Sequence, residues 1–304
     1  MAHAAGPGDW LAVVNSTAGA GCVARAWPRL KEALAAAGVC AEPALTRGPD
    51  HATELVAHGY GRGIRRFLAV GGDGTLHEVL NGIGEGAERC AIAAAPLGSA
   101  NDWARELGIP RGPVAIAAML RAERRRACDA GLAEFSVAGE RRRRRFINVA
   151  GVGYDAYVLE RLPRRGPQRL RYLWALASNL TAYRAPLFRV ECGGASFEEH
   201  LLVAFAALGR YCGGGLELAS DASPSDGLFD LVAIKPLAPL AVFTRLPKAY
   251  LGRLASDPVV IRGRGPTVLV DTDRPAGVEA DGQLLGTTPF TARVLPGAFD
   301  AVVP

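Results

Sequence analysis

One segment, FLAVGGDGTLHEVLNG from Phe67 to Gly82, limits what this chain can fold into more than any other. Four apolar residues, Phe67 to Val70, read as a buried strand that stops at Gly71-Gly72-Asp73-Gly74-Thr75. Leu76, Val79, Leu80 and Ile83 then recur at helical spacing. A strand, a glycine turn and a helix N-terminus form a cradle for an anion. Glycines lack a Cβ, so backbone N–H groups can come close, and the helix dipole favours negative charge there. Asp73 runs against this. A carboxylate inside an anion cradle repels phosphate unless it holds a metal or takes a proton from an attacking hydroxyl. The combination points to phosphoryl transfer rather than nucleotide binding alone. The plainer alternative is a tight, glycine-rich βα turn without a ligand, and Asp73 and Thr75 in this context count against it.

The flanking sequence repeats the same rhythm over roughly the first 126 residues. Trp10 to Val14 reads as a strand that runs into a small-residue loop, Asn15-Ser16-Thr17-Ala18-Gly19-Ala20-Gly21. A helix rich in Ala and Leu follows through Ala37, with Gly38 as its C-cap. A strand near Val39 to Leu45 ends at Thr46-Arg47-Gly48, and Asp50 to His58 reads as helix. After the glycine turn, a strand at Cys90 to Ala95 ends in Pro96-Leu97-Gly98-Ser99-Ala100-Asn101-Asp102, before a helix near Trp103. Alternation of this kind predicts a parallel sheet with helices on both faces. Ligands of such sheets bind beyond the carboxyl ends of the strands. All four small, polar loops fall there, so one site can draw on Asn15 to Gly21, Thr46, Gly71 to Thr75, and Ser99 to Asp102.

The texture changes after Arg126. Short β-like runs recur from Ala127 to Leu295, separated by Gly, Pro and Asp turns, which predicts an antiparallel sandwich or barrel-like second domain. The expected division is therefore residues 1–126 and 127–304. One helix interrupts the strands. From Arg169 to Arg184, Leu170, Leu173, Trp174, Ala177 and Leu180 fall at helical spacing, and core packing is the expected use of that face.

The chain has 304 residues and a formal net charge of +5, with arginine concentrated at Arg121 to Arg126, Arg141 to Arg145 and Arg161 to Arg171. Such clusters fit a solvated surface or an anionic membrane. No aromatic-rich sheet or helix-turn-helix pattern accompanies them, so nucleic acid is not expected. The six cysteines and five histidines lack metal-ligand spacing, which predicts neither zinc nor disulfides. Met1 to Asp9 has neither a basic n-region nor an apolar h-region, and no apolar run is long enough to span a bilayer. The expected location is cytoplasmic, with peripheral contact at the inner membrane surface and a homodimer left open.

Taken in order, GGDGT, PLGSANDWAREL, CDAGLAEF with FINVAGVGYDA, and SDGLFDLVAI with EADGQLLGTTPF resemble the diacylglycerol kinase catalytic family across nearly the whole chain. This family includes soluble bacterial lipid kinases and enzymes of the sphingosine- and ceramide-kinase type. The resemblance implies an N-terminal α/β nucleotide domain like that of NAD kinase and phosphofructokinase. It further implies a C-terminal β-sandwich and an active site in the cleft between the two. It implies ATP as co-substrate, Mg2+ as cofactor, and a lipid hydroxyl as acceptor, hence a role in lipid metabolism and phospholipid biosynthesis. Carried over by residue, the nucleotide would lie against Asn15, Ser16, Thr17, Ala18, Gly19, Thr46, Gly71, Gly72, Asp73, Gly74, Thr75 and Ser99, with Asn101 and Asp102 flanking it. Asp73 would sit by the transferred phosphate, on a metal or polarising the hydroxyl, and Asp129 would open the second domain. Asp226 resembles the family's structural magnesium ligand, with the carbonyls of Ser223 and Leu228 near it; an Asp-Gly hairpin turn is the other reading.

Three departures stand out. The first loop lacks the proline of the family's NPxSG, and Ser99 replaces a threonine while keeping the hydroxyl. The third is chemical. At Asp281-Gly282-Gln283 the family has Asp-Gly-Glu, whose glutamate is taken as general base, and a glutamine cannot accept a proton at neutral pH. The expected activity is still an ATP-dependent lipid kinase, with Asp73 and Gln283 at its catalytic centre. A kinase of a smaller or unusual alcohol, and a weakly active nucleotide- or lipid-binding relative, stand as alternatives.

Overall fold

The computed structural model of the chain describes residues 9–84, 89–162 and 168–304. Arg164, Arg165 and all but the last residue of the Met1 to Asp9 segment lie outside them. The chain divides into two compact units: residues up to Cys128 with Gly297–Pro304, and Asp129–Pro296.

The first unit follows the βα rhythm. Its elements are β1 (Trp10–Val14), α1 (Ala18–Ala36), β2 (Ala41–Leu45), α2 (His51–Gly61), β3 (Arg66–Gly71), α3 (Asp73–Gly82), β4 (Ala91–Pro96), α4 (Asp102–Glu106) and α5 (Pro113–Ala122). The strands are parallel in the order β4-β3-β1-β2, and Asp300 and Ala301 near the chain's end lie parallel beside β4. Every residue of β1 and β4 is buried, which explains their unbroken apolar runs, since a parallel sheet carries helices on both faces. Helix α5 is not among the expected elements, although Pro113 at its start and buried Ile116, Ala117, Met119 and Leu120 mark it. Helix α1 becomes regular only after Gly19, Ala20 and Gly21, all left-handed, so this stretch belongs to the loop.

The second unit begins within β5 (Arg124–Val137) and continues through β6 (Glu140–Phe146), β7 (Val149–Gly153), α6 (Tyr154–Glu160), α7 (Gln168–Ser178), β8 (Leu187–Cys192), β9 (Ala195–His200) and β10 (Val203–Ala207). A short hairpin of β11 (Tyr211–Cys212) and β12 (Leu216–Glu217) precedes β13 (Phe229–Ile234), α8 (Pro239–Tyr250), β14 (Val260–Gly265), β15 (Thr267–Thr272), β16 (Gly277–Ala280) and β17 (Gln283–Val303). Antiparallel strands run β14-β13-β10-β7-β16-β17, while β9-β8-β15 and β6-β5 also join the long β17. Side chains alternate along the central strands. Ala204, Ala206, Leu231 and Ala233 face one core with Phe146, Phe188 and Phe229. Val203, Phe205, Val232 and Ile234 face a second core with Tyr154, Ala175, Leu180 and Ala249 of the helical segments. The expected combination of α/β unit and antiparallel sandwich is the fold observed.

Two local readings change. The two strands expected at Ala127 to Leu132 and Glu134 to Ala138 form one continuous β5, turned into β6 by Ala138-Gly139, both left-handed. In α7 the face is shifted. Trp174 is 61% exposed while its neighbour Ala175 is buried, so the packed face is rotated from the expected one; Leu180, beyond the helix end, is buried as expected.

Candidate active site

Four loops meet at one edge of the parallel sheet. The register places Val14 opposite both Leu45 and Val70, and Gly71 opposite Pro96. The loops leaving β1 to β4 therefore start at the same level. Backbone hydrogen bonds tie them together: Asn15 N–H to Val70 O at 3.0 Å, Thr46 N–H to Val14 O at 3.0 Å, and Leu97 and Gly98 N–H to Gly71 O at 2.9 Å. The Asn15 amide donates to Thr75 Oγ1 at 3.2 Å, and Thr17 Oγ1 donates to Asn15 Oδ1 at 2.9 Å. Asn101, left-handed at φ 56°, folds back on its own loop, its amide donating to Gly98 O at 2.7 Å.

The glycines are needed for this closeness. A Cβ on Gly98 would lie 2.4 Å from Gly72 Cα, and one on Gly19 would lie 2.5 Å from Leu97 O. Three of the loops are thus in backbone contact, which no larger residue permits.

Asp73 is held in place. Its Oδ2 accepts the N–H of Asp102 at 3.2 Å and its Oδ1 the N–H of Trp103 at 3.3 Å. A carboxylate on one helix's first residue thereby caps the next helix, α4, and its two oxygens take a set orientation. Asp102 is buried and pairs with Arg105 at 2.5 Å. Ser16, Ala18 and Gly19 are half-buried, and Thr17 and Ser99 are exposed in the same loops. The first unit therefore assembles Asn15 to Gly19, Thr46, Gly71 to Thr75, Ser99, Asn101 and Asp102 around one carboxylate. Such a site can hold an anion by backbone N–H groups and small side chains, with Asp73 fixed beside it.

In the second unit, Gln283 is the first residue of β17 and pairs with Ala280 across a two-residue turn, Asp281-Gly282, both left-handed. The Asp281 carboxylate accepts the N–H groups of Ile147 at 2.9 Å, Asn148 at 3.0 Å and Val149 at 3.3 Å. Asp281 thus anchors the hairpin that presents a half-buried Gln283. Asp129 Oδ2 accepts Gly227 N–H at 2.7 Å, while Asp226 accepts Leu228 N–H at 3.1 Å and pairs with Arg264.

Sequence reasoning missed an acid pair, the half-buried Asp155 and the buried Glu279. Tyr172 Oη donates to Asp155, which also shares a hydrogen bond with Glu279, and Gly282 N–H donates to Glu279 at 2.9 Å. Burial pushes the Glu279 carboxyl well above the usual carboxylate range, and Asp155 beside it adds to the effect. Burial also raises Asp155 and Tyr172. Both shifts favour protonation, and the hydrogen bond within the pair lowers Asp155 while it raises Glu279, so Glu279 is its donor. Asp155 and Tyr172 also line an apolar cavity of about 110 Å³ with Leu176, Phe205, Leu216 and Leu254. Both acids stand inside quoted motifs, in GVGYDA and EADGQ; what the sequence lacked was any sign that they meet.

Glycine loops around a fixed carboxylate on a parallel α/β sheet, in one chain with an antiparallel sandwich, define a phosphotransferase of the kinase type. Residues 9–133 match the diacylglycerol kinase catalytic domain, and residues 148–303 match the YegS C-terminal NAD kinase beta sandwich-like domain. The chain is 32% identical over 278 residues to a probable lipid kinase YegS-like from Pseudomonas fluorescens, covering 90% of this chain and 89% of that protein. It is 32% identical over 240 residues to a diacylglycerol kinase from Bacillus subtilis, covering 77% and 73% respectively. In fold it is similar to a putative diacylglycerol kinase from Bacillus anthracis, with a TM-score of 0.78, 21% identity and 97% of each chain covered. A yeast NADH kinase shares the fold at a TM-score of 0.53 and 8% identity, over 97% of this chain and 83% of that one. The chain belongs to the family of YegS-like and diacylglycerol-kinase-like lipid kinases.

Proposed function

We propose that this enzyme transfers the γ-phosphoryl group of ATP to the hydroxyl of a lipid, such as a diacylglycerol-, sphingoid- or ceramide-type acceptor. The observation that carries the reading is Asp73, a carboxylate fixed by two backbone N–H groups within a cradle of glycine loops. Residues 1–126 are read as the nucleotide domain and 127–304 as the acceptor domain. Asn15 to Gly19, Thr46, Gly71 to Thr75, Ser99, Asn101 and Asp102 would bind the phosphates. Magnesium would arrive with the nucleotide and offset charge on its phosphate oxygens. Asp73 would orient the acceptor hydroxyl and take its proton. Phosphoryl transfer proceeds largely through a loose transition state, so positioning and electrostatics carry most of the rate.

The apolar cavity favours a lipid over a small alcohol. Its lining is almost wholly hydrocarbon, with polar groups supplied by Asp155, Arg245, the hydroxyls of Tyr154 and Tyr172 and the Cys212 thiol, and hydrocarbon chains gain by leaving water for such a place. An acyl or alkyl chain of the acceptor is its expected occupant. Exposed Arg141, Arg142 and Arg143 on β6 would give weak, salt-sensitive attraction to an anionic membrane, moderated by the pairs Arg142–Glu140 and Arg143–Glu134.

The test is transfer of label from γ-labelled ATP with magnesium to a lipid extract, beside a panel of water-soluble alcohols. Label in a chloroform-soluble phospholipid is the expected result. Label only in water-soluble products would shift the reading to the small-alcohol kinase, and no label in either would remove it.

A further inference from the structure

The magnesium expected at Asp226 does not fit the donors the fold presents there. The Asp226 Oδ2 is paired with the Arg264 guanidinium, and Oδ1 accepts the N–H of Leu228 at 3.1 Å. Asp129, buried below the same turn, directs Oδ2 at Gly227 N–H at 2.7 Å. The Pro224 carbonyl accepts Asp129 N–H at 2.8 Å. Among the described residues no group of three acidic, histidine or cysteine side chains is arranged to hold a metal ion. A hard cation seeks several oxygen donors at once, and here both Asp226 oxygens and Asp129 Oδ2 already have partners.

Arg264 is placed by the sheet itself. It stands opposite Asp230 in the β13–β14 pairing, with Nε 3.7 Å from Asp230 Oδ2, while its terminal nitrogen reaches Asp226. That Asp230 oxygen is buried and has no hydrogen bond. One guanidinium therefore faces two carboxylates, one in the turn and one at the start of β13, as a divalent ion would. Its planar fork suits this, because five donors in a fixed geometry serve two acceptors without a coordination shell. Arg262, two residues away, pairs with Asp221.

We infer that the Arg264 guanidinium is the built-in cation of the Asp226–Asp230 turn and takes the place of a structural divalent ion. The turn is then held covalently to its cation, and chelators do not reach it. This inference stands apart from the kinase reading, since it concerns the nucleotide-free protein.

Thermal unfolding without nucleotide, in EDTA and in millimolar magnesium, tests it. The wild-type melting temperature is expected to be the same in both. Arg264→Gln should melt several degrees lower in EDTA, because it leaves carboxylates facing each other without a cation. Magnesium should restore part of that loss, and Asp226→Asn added to Arg264→Gln should abolish the restoration. A wild-type protein that loses stability in EDTA, with the loss absent in Asp226→Asn, would overturn the inference. So would an Arg264→Gln variant that melts like wild type, or one that magnesium does not help. Should Arg264→Gln fail to fold, Mn2+ titration of nucleotide-free wild type and Asp226→Asn by calorimetry decides the matter. Equal stoichiometry supports the guanidinium, and one equivalent lost in Asp226→Asn rules it out.

Discussion

The carboxylate of Asp281 holds the backbone N–H of Asn148 at 3.0 Å, across 133 residues of chain. It also accepts the N–H groups of Ile147 and Val149, so one side chain satisfies three consecutive donors where β6 passes into β7. Hydrogen bonds to a charged acceptor contribute about 1.5–3 kcal/mol each, and they are not additive. Asp281→Ala is therefore expected to cost about 3 kcal/mol or more in urea denaturation, through stranded N–H groups and a left-handed backbone that alanine disfavours. Asp281→Asn keeps one acceptor and tolerates that backbone, so its loss should be smaller. Equal, near-zero losses in both would show the anchor to be dispensable.

Asp73 caps α4 and is proposed to take the acceptor's proton, and its substitution should separate the two roles. In Asp73→Asn a single amide oxygen remains for two backbone donors, Asp102 and Trp103. A stability loss of about 1–3 kcal/mol is expected from the stranded donor, with the fold retained. Turnover should fall at least ~10²-fold, in the range of a lost general base. Calorimetry should still show ATP binding with magnesium, because the glycine loops are intact. Near wild-type turnover in a folded Asp73→Asn protein would reduce Asp73 to a helix cap.

Much of the first unit was legible because its signals are local. Trp10 to Val14 and Phe67 to Val70 are short apolar runs ended by glycine loops, and both are strands in the fold. The convergence of four loops follows from parallel order alone. The site's finer parts depend on pairings distant in the chain. Asp281 reads as a turn residue, and nothing near it announces three donors at Ile147 to Val149. Asp155 and Glu279 are ordinary polar residues until α6 and β16 are packed, when burial turns them into a proton-sharing pair. Arg264 stands in a strand whose role as a cation source appears only through its register with Asp230. The face of α7 misled for a related reason: helical spacing gives the width of an apolar stripe, and the neighbouring elements choose which edge is covered.

The buried Glu279 beside Asp155 makes stability fall as pH rises. Glu279 has a raised pKa in the folded chain, so folding retains a proton that the unfolded chain releases near the ordinary glutamate value of about 4.3. Its contribution is fully present below that value. It is lost as pH rises through the folded value. Within this window each retained proton makes stability fall by about 1.4 kcal/mol per pH unit. Glu279→Gln can keep the hydrogen bond from Gly282 through its amide oxygen and can donate to Asp155 through its nitrogen, without titrating. Wild type should therefore lose stability relative to Glu279→Gln as pH rises above the ordinary carboxylate range. Parallel stability profiles for the two proteins would contradict the shared proton.

Gln283 bears on whether the enzyme needs a second carboxylate. A lost general base can cost ~10²–10⁴-fold, which would leave a crippled enzyme. Phosphoryl transfer through a loose transition state asks less, because the attacking hydroxyl keeps its proton until the new bond is well advanced. Gln283 leads β17 out of the turn that Asp281 anchors, so its position is set even though its side chain carries no charge. In the proposed reaction its side-chain carbonyl would accept a hydrogen bond from the acceptor hydroxyl, and Asp73 would take the proton. On this account Gln283→Ala lowers turnover only modestly, and Gln283→Glu brings no large gain. A crippled enzyme behaves otherwise: Gln283→Glu would then raise turnover about a hundredfold or more, the scale of a restored general base. Single-turnover rates of wild type, Gln283→Ala and Gln283→Glu with one accepted lipid decide between them. Asp281→Asn serves as control, since it disturbs the anchor without touching Gln283. A large rescue by glutamate, with the anchor variant unimproved, would show that Asp73 does not suffice as the base.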